Sequence, residues 1–106
     1  MSLSYQTITT PRLTTAYLAS GTPGKPRLLL LHGNVSSAIF YEHMMELLAE
    51  DFEMLAPDFR CFGHSSALPI DATRGLRDFS DDLEDFVRAV GWDHFSLFGW
   101  SMGGGV

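Results

Sequence analysis

His94-Phe95-Ser96-Leu97-Phe98-Gly99-Trp100-Ser101-Met102-Gly103-Gly104-Gly105 decides how the whole chain is read. A short apolar run ends in Gly-Trp-Ser-Met-Gly. Taken as a strand, a tight turn and the start of a helix, it puts one serine hydroxyl at the tip of a sharp bend. The flanking glycines let two backbone segments approach without a Cβ between them. At the first turn of a helix the backbone N–H groups lack intrahelical partners, so they are free to serve an oxygen held there. Alone, a helix N-cap serine would satisfy the same pattern. The choice between cap and nucleophile rests on the residues upstream.

Immediately before His94, residues 77–91 carry the clearest helix signal in the chain. Phe79, Leu83, Phe86, Val87 and Val90 trace one apolar face. Arg77, Asp78, Asp81, Asp82, Glu84, Asp85 and Arg88 occupy the remainder, which reads as a solvated acidic face. Gly91 stops the helix where a left-handed residue is wanted. Further upstream, Arg27-Leu28-Leu29-Leu30-Leu31 is apolar without alternation, as expected of a strand buried on both faces of a parallel sheet. His32-Gly33-Asn34-Val35-Ser36-Ser37 follows as a loop, with Ser36 or Ser37 available to cap a helix. Phe40, Met44, Leu47 and Leu48 then recur at helical spacing, and Phe52 to Ala56 is a short strand ended by Pro57.

At the front, Tyr5 to Thr10 and Leu13 to Ala19 read as two strands of a hairpin broken by Pro11-Arg12. The order is therefore two antiparallel strands followed by β-α-β-α-β and a helix just begun. The fold class is α/β: a mostly parallel sheet with an N-terminal antiparallel hairpin and helices on both faces.

Composition narrows the function classes. The chain has 106 residues, 45% hydrophobic and 19% charged, with a net charge of −6. A nucleic-acid partner would need basic patches, which this balance argues against. No apolar run reaches the roughly 18 residues of a membrane helix. The single cysteine, Cys61, excludes an internal disulfide and fits a reducing, cytoplasmic location. No His or Cys cluster has metal-ligand spacing, so neither a metal nor another cofactor is expected. The glycines after Met102 each cost about 1 kcal/mol against alanine in a helix, so packing from further chain is expected to hold them. Residues 1–106 are thus expected to be the N-terminal portion of one domain, whose remaining C-terminal part is its partner.

Three landmarks together resemble the α/β-hydrolase fold family in its serine-nucleophile branch. They are His32-Gly33-Asn34 after the apolar strand, the loop Pro57-Asp58-Phe59-Arg60-Cys61-Phe62-Gly63-His64-Ser65, and the turn around Ser101. The second is similar to the family's Asp-x-Arg-Gly-x-Gly-x-Ser loop, with Cys61 where glycine is usual. That departure places a Cβ at a point of uncertain backbone conformation, and Cys61 reads as a packing residue. The third is similar to the nucleophile elbow.

The resemblance implies an incomplete α/β-hydrolase core and assigns roles residue by residue. Ser101 is the nucleophile. The backbone N–H of Met102 and that of Asn34, with Val35 as second choice, form the oxyanion hole. Trp100, Val35 and His64 are expected near the pocket. His64 is the only histidine here worth testing as a base, because His32 reads as a support for its loop and His43 as solvated. Asp58 reads as an Asx-type turn residue. The implied order of nucleophile, acid and then histidine places both remaining triad members beyond Val106, so this stretch alone is expected to be nearly inert.

The function so implied is hydrolysis of a small ester, lactone or related carbonyl substrate through an acyl-enzyme at Ser101. A serine at the elbow argues against the aspartate-nucleophile epoxide hydrolases and dehalogenases. Carbon–carbon bond hydrolases and cofactor-free haloperoxidases of the same fold stay open, as does a non-catalytic member that binds a ligand or signalling partner.

Overall fold

The computed structural model describes residues 5–33, 37–70, 73, 75–99, 103 and 106. Strands β1 (Tyr5–Thr9) and β2 (Thr14–Gly21) form an antiparallel hairpin, with Tyr5 opposite Leu18 and Thr9 opposite Thr14. Strands β3 (Arg27–Leu31), β4 (Glu53–Pro57) and β5 (Ser96–Gly99) are the parallel part of the same five-stranded sheet. The spatial order is β1-β2-β4-β3-β5, and β2 meets β4 antiparallel. The expected hairpin and mostly parallel core are both present.

Unbroken apolar strands need cover on both faces, and the side-chain period of two divides them accordingly. Leu30 of β3 and Met54 and Ala56 of β4 face one side, packed with Leu18, Ala38, Tyr41 and Met45. Leu29, Leu31 and Leu55 face the other, packed with Phe59, Phe79, Phe86 and Trp92. Helix α1 (Glu42–Leu47) covers the first face and helix α2 (Arg77–Val90) the second.

Helix α1 corrects the reading of its apolar positions. It is preceded by a 3-10 turn at Ala38–Tyr41, and the buried residues are Ala38, Tyr41 and Met45. Met44 and Leu48 are half-buried, whereas Phe40 and Leu47 are 51% and 69% exposed. A 3-10 turn advances three residues per turn instead of 3.6, so it rotates the apolar stripe away from the phase a continuous α-helix would have. The cap differs as well. Ser37 stands at the N-cap without a side-chain bond, and the Ala38 N–H donates instead to Asp58 Oδ1 at 2.6 Å. Ser36 lies outside the described residues.

Helix α2 matches its expected apolar face and stops at Gly91, whose φ is 79°. Its acidic side is only partly solvated. Asp78 and Asp82 are each 5% exposed. Asp82 accepts from Arg60 through Nε at 2.6 Å and Nη2 at 2.7 Å, and from Arg12 Nε at 2.7 Å. Arg12 Nη2 also lies 3.7 Å from Asp78. Arginines from two distant loops, at 12 and at 60, therefore neutralise carboxylates that periodicity alone assigns to water. Burial at this low exposure requires such pairing.

Cys61 has φ of 68°, in the left-handed region, and its residue is exposed instead of packed. Its backbone thus adopts the conformation that the glycine usual at this position would take freely. The Sγ donates to the Leu68 carbonyl at 2.9 Å and the N–H to Ser66 O at 2.9 Å. Left-handed backbone costs about 1–2 kcal/mol for a residue with a Cβ, and more when that carbon is branched. Cys61→Val is therefore expected to destabilise the protein by about 1–2 kcal/mol, with Cys61→Gly within about 1 kcal/mol of wild type. Thermal unfolding of the three proteins checks the order.

Candidate active site

Ligands of open α/β sheets bind at the carboxyl ends of the parallel strands. Here β3 ends at Leu31 directly beside the end of β5 at Gly99, and β4 ends next to β3 at Pro57. The three motifs singled out in the sequence leave these three ends. Parallel pairing therefore gathers at one edge loops that are as much as 70 residues apart in the chain.

The turn after β5 is bracketed by two described glycines. Gly99 closes the strand, and Gly103 is already in helical backbone. A Cβ placed on Gly103 would lie 2.4 Å from the Leu31 carbonyl oxygen and 2.6 Å from that of His32. Both obstacles are backbone, so a side chain has no room. Within four residues of Gly99 the chain has returned against the end of β3. Tyr41 consolidates the same point by donating its hydroxyl to Leu31 O at 2.6 Å. Ser101, Met102 and Trp100 fall between or beside these markers in sequence but lie outside the described residues, as do Asn34 and Val35.

His32 supports its loop as expected. The ring is buried, donates from Nδ1 to the Gly33 carbonyl at 2.7 Å, and accepts at Nε2 from the Phe59 N–H at 3.0 Å. Both nitrogens are committed to the neutral form. Burial holds the pKa below its ordinary value, against the opposing pull of the Gly33 carbonyl and the Asp58 charge. An unfolded chain takes up a proton at this residue below about pH 6.5, before the folded chain does. Its contribution is therefore full above that pH and is lost as pH falls below it. Denaturation of wild type and His32→Asn at pH 7.5 and 5.5 should show a smaller loss for the variant.

His64 is exposed, and its ring meets that of Tyr5 edge-on at 4.3 Å between centroids. Its backbone N–H donates to Asp58 Oδ2 at 2.9 Å. Asp58 itself is 1% exposed and structural, as read, but its reach exceeds a local turn. Besides Ala38 and His64, its backbone N–H donates to Ala16 O at 2.8 Å and its carbonyl accepts from Ser65 Oγ at 2.7 Å. Tyr5 stands beside it, and burial first, then the Asp58 charge, push the Tyr5 hydroxyl above its ordinary pKa, against hydrogen bonds that lower it. Neither the buried Arg60–Asp82 pair nor the Asp58 link to Ala38 was legible in the residue pattern, because each joins elements that are separate in sequence. Among the described residues no group of three or more His, Cys, Asp or Glu side chains could hold a metal.

The family model for the alpha/beta hydrolase fold matches residues 26–106. The human serine hydrolase-like protein is 35% identical over 81 residues, which is 76% of this chain and 40% of that protein. A fluoroacetate dehalogenase from a Burkholderia species is 32% identical over 82 residues, covering 74% of this chain and 27% of its own. Among solved structures, a haloalkane dehalogenase loop variant from Bradyrhizobium elkanii superposes with a TM-score of 0.88 at 26% identity, covering 97% of this chain and 34% of that one. The chain thus spans less than half the length of each of these proteins. Sequence match and strand order agree, and the chain belongs to the α/β-hydrolase family.

Proposed function

We propose that the complete protein is a serine hydrolase that cleaves a small ester, lactone or related carbonyl substrate through an acyl-enzyme on Ser101. The observation that carries this reading is the close approach of Gly103 to the Leu31 and His32 carbonyls. It supports a tight strand-to-helix turn whose intervening residues include a serine. By the family resemblance, epoxide hydrolases and dehalogenases carry aspartate at that position, so the likeness to the Burkholderia dehalogenase favours the fold and not its chemistry.

In the proposed reaction a general base removes the Ser101 proton as Oγ attacks the carbonyl carbon. The N–H groups of Met102 and Asn34 receive the charge that develops on the carbonyl oxygen; one such donor typically supplies about 3 kcal/mol. The C–O bond to the leaving group then breaks, and the alcohol departs with the proton. Water, deprotonated by the same base, releases the acid and restores Ser101. The acid and the base belong to chain beyond Val106 in this reading. The substrate is a small molecule, and the reaction draws on no cofactor. No described helix is long and apolar enough to cross a membrane.

The test is a fluorophosphonate probe on the full-length protein. Covalent modification mapped to Ser101 by peptide mass spectrometry is the expected result. Folded protein that stays unmodified would instead favour a ligand-binding member of the fold.

A further inference from the structure

Strand β1 lies at one edge of the sheet and, among the described residues, pairs with β2 alone. The direction of its free backbone groups follows from its neighbours. The Thr10 N–H donates to the Leu13 carbonyl at 2.9 Å across the hairpin turn. On the far side of β2, Ala16 O accepts from the Asp58 N–H at 2.8 Å, and Thr14 O from the Ser66 N–H at 3.0 Å. Thr14 and Ala16 thus face away from β1, while Thr15 and Tyr17 face it. The partners of Thr15 and Tyr17 in register are Ile8 and Gln6. In an antiparallel ladder successive residues bond to opposite sides. Tyr5, Thr7 and Thr9 therefore direct their N–H and C=O groups out of the sheet edge.

Proteins blunt such an edge with lysine, proline, an inward charge or a bulge. Strand β1 carries none of these. Its register with β2 runs unbroken from Tyr5 to Thr9, and Gln6, Thr7 and Thr9 are exposed. The first charged side chain in the sequence is that of Arg12, whose Nε is bound to Asp82 at 2.7 Å. Residues 1–11 thus hold no charged side chain, in a chain of net charge −6. An acidic chain repels its own copies. This edge is a place where two can meet without opposing like charges.

We propose that β1 is a self-association edge, at which two copies of the protein pair antiparallel about a two-fold axis through Thr7. Thr7 opposes its own copy, and Tyr5 opposes the partner's Thr9. Each of these pairs joins residues whose backbone groups point outward, so each exchanges both hydrogen bonds. The same patch serves both copies, as a two-fold contact requires. Threonine and tyrosine also suit the cross-strand contacts that such a pair makes. A seam of five residues lies at the small end of specific interfaces, so the dimer is reversible and depends on concentration.

Sedimentation equilibrium of the full-length protein from about 1 to 100 μM tests this, with Thr7→Lys and Thr7→Pro beside wild type. The wild type is expected to pass from monomer to dimer over that range. Thr7→Lys sets two ammonium groups against each other at the axis, and Thr7→Pro deletes an outward N–H. Both changes fall on the edge side of β1, which keeps its bonds to β2, so the far-ultraviolet circular dichroism should match wild type. Each is expected to weaken the dimer by at least about tenfold. A wild type that stays monomeric throughout overturns the proposal. So does a dimer that the folded variants form as readily. If Thr7→Pro does not fold, Thr7→Lys decides alone, because its side chain replaces one that is already exposed.

Discussion

Ser101→Ala in the full-length protein is expected to abolish fluorophosphonate labelling and to lower kcat by roughly a million-fold, the loss seen when a triad serine is removed. Folding should be unaffected. The substitution deletes one oxygen and leaves Gly99 and Gly103 in place. The bracketing geometry supports this separation. A Cβ on Gly103 would lie 2.4 Å from the Leu31 carbonyl oxygen and 2.6 Å from that of His32, a constraint set at Gly103 and not at residue 101. Turnover of an activated ester and a denaturation curve, measured side by side, check both halves. Retention of more than about a hundredth of wild-type kcat would mean that the acyl group forms elsewhere, and the assignment of Ser101 would fall. His64, the only candidate base among the described histidines, is a useful companion. If the base lies beyond Val106, as proposed, His64→Ala keeps most of the activity.

The largest expected effect on stability belongs to Asp82→Ala. This carboxylate accepts three hydrogen bonds from two guanidinium groups, one of them on Arg60, which is 7% exposed. Removing it leaves Arg60 with the Pro69 carbonyl, at 2.7 Å from Nη1, and with the charge of Asp78, which Arg12 shares. Asp82 also holds the Arg60 proton more firmly than usual, chiefly through the hydrogen bond between them. Breaking a buried pair by deleting one partner typically costs about 3–5 kcal/mol, most of it the penalty of the charge left behind. Glu84 supplies the control on the same helix. It pairs with Arg88 one turn on, where both side chains are more than half exposed. Such pairs contribute at most about 1 kcal/mol. Chemical denaturation of the two alanine variants should therefore separate them by about 2 kcal/mol or more. Equal losses would show that the network stabilises nothing beyond an ordinary surface pair. The site would feel the change too, since Arg60 anchors the loop that carries Asp58.

The elements best foreseen are those whose neighbours leave the least choice. The run Leu28–Leu31 is apolar on both sides and lies between two helices, as its lack of alternation requires. The α2 stripe and its Gly91 stop are local properties of one helix. Helical spacing puts Phe40 and Leu47 on the apolar face, but the helix opens with a 3-10 turn and both side chains are exposed. Periodicity assigns Asp78 and Asp82 to water because their partners, Arg12 and Arg60, come from other parts of the chain.

For the candidate site the division is similar. The glycines at 99 and 103, the serine between them and the order of the three loops were all present as residue types at fixed spacing. They can be read from the sequence because residue types at fixed spacing are local properties of the chain. The join between the loops could not be read in this way. That Phe59 holds His32, that Asp58 holds Ala38 and that Gly103 rests on Leu31 depend on which strands lie side by side. Such contacts exist only where β3 lies between β4 and β5, so they belong to the tertiary structure alone.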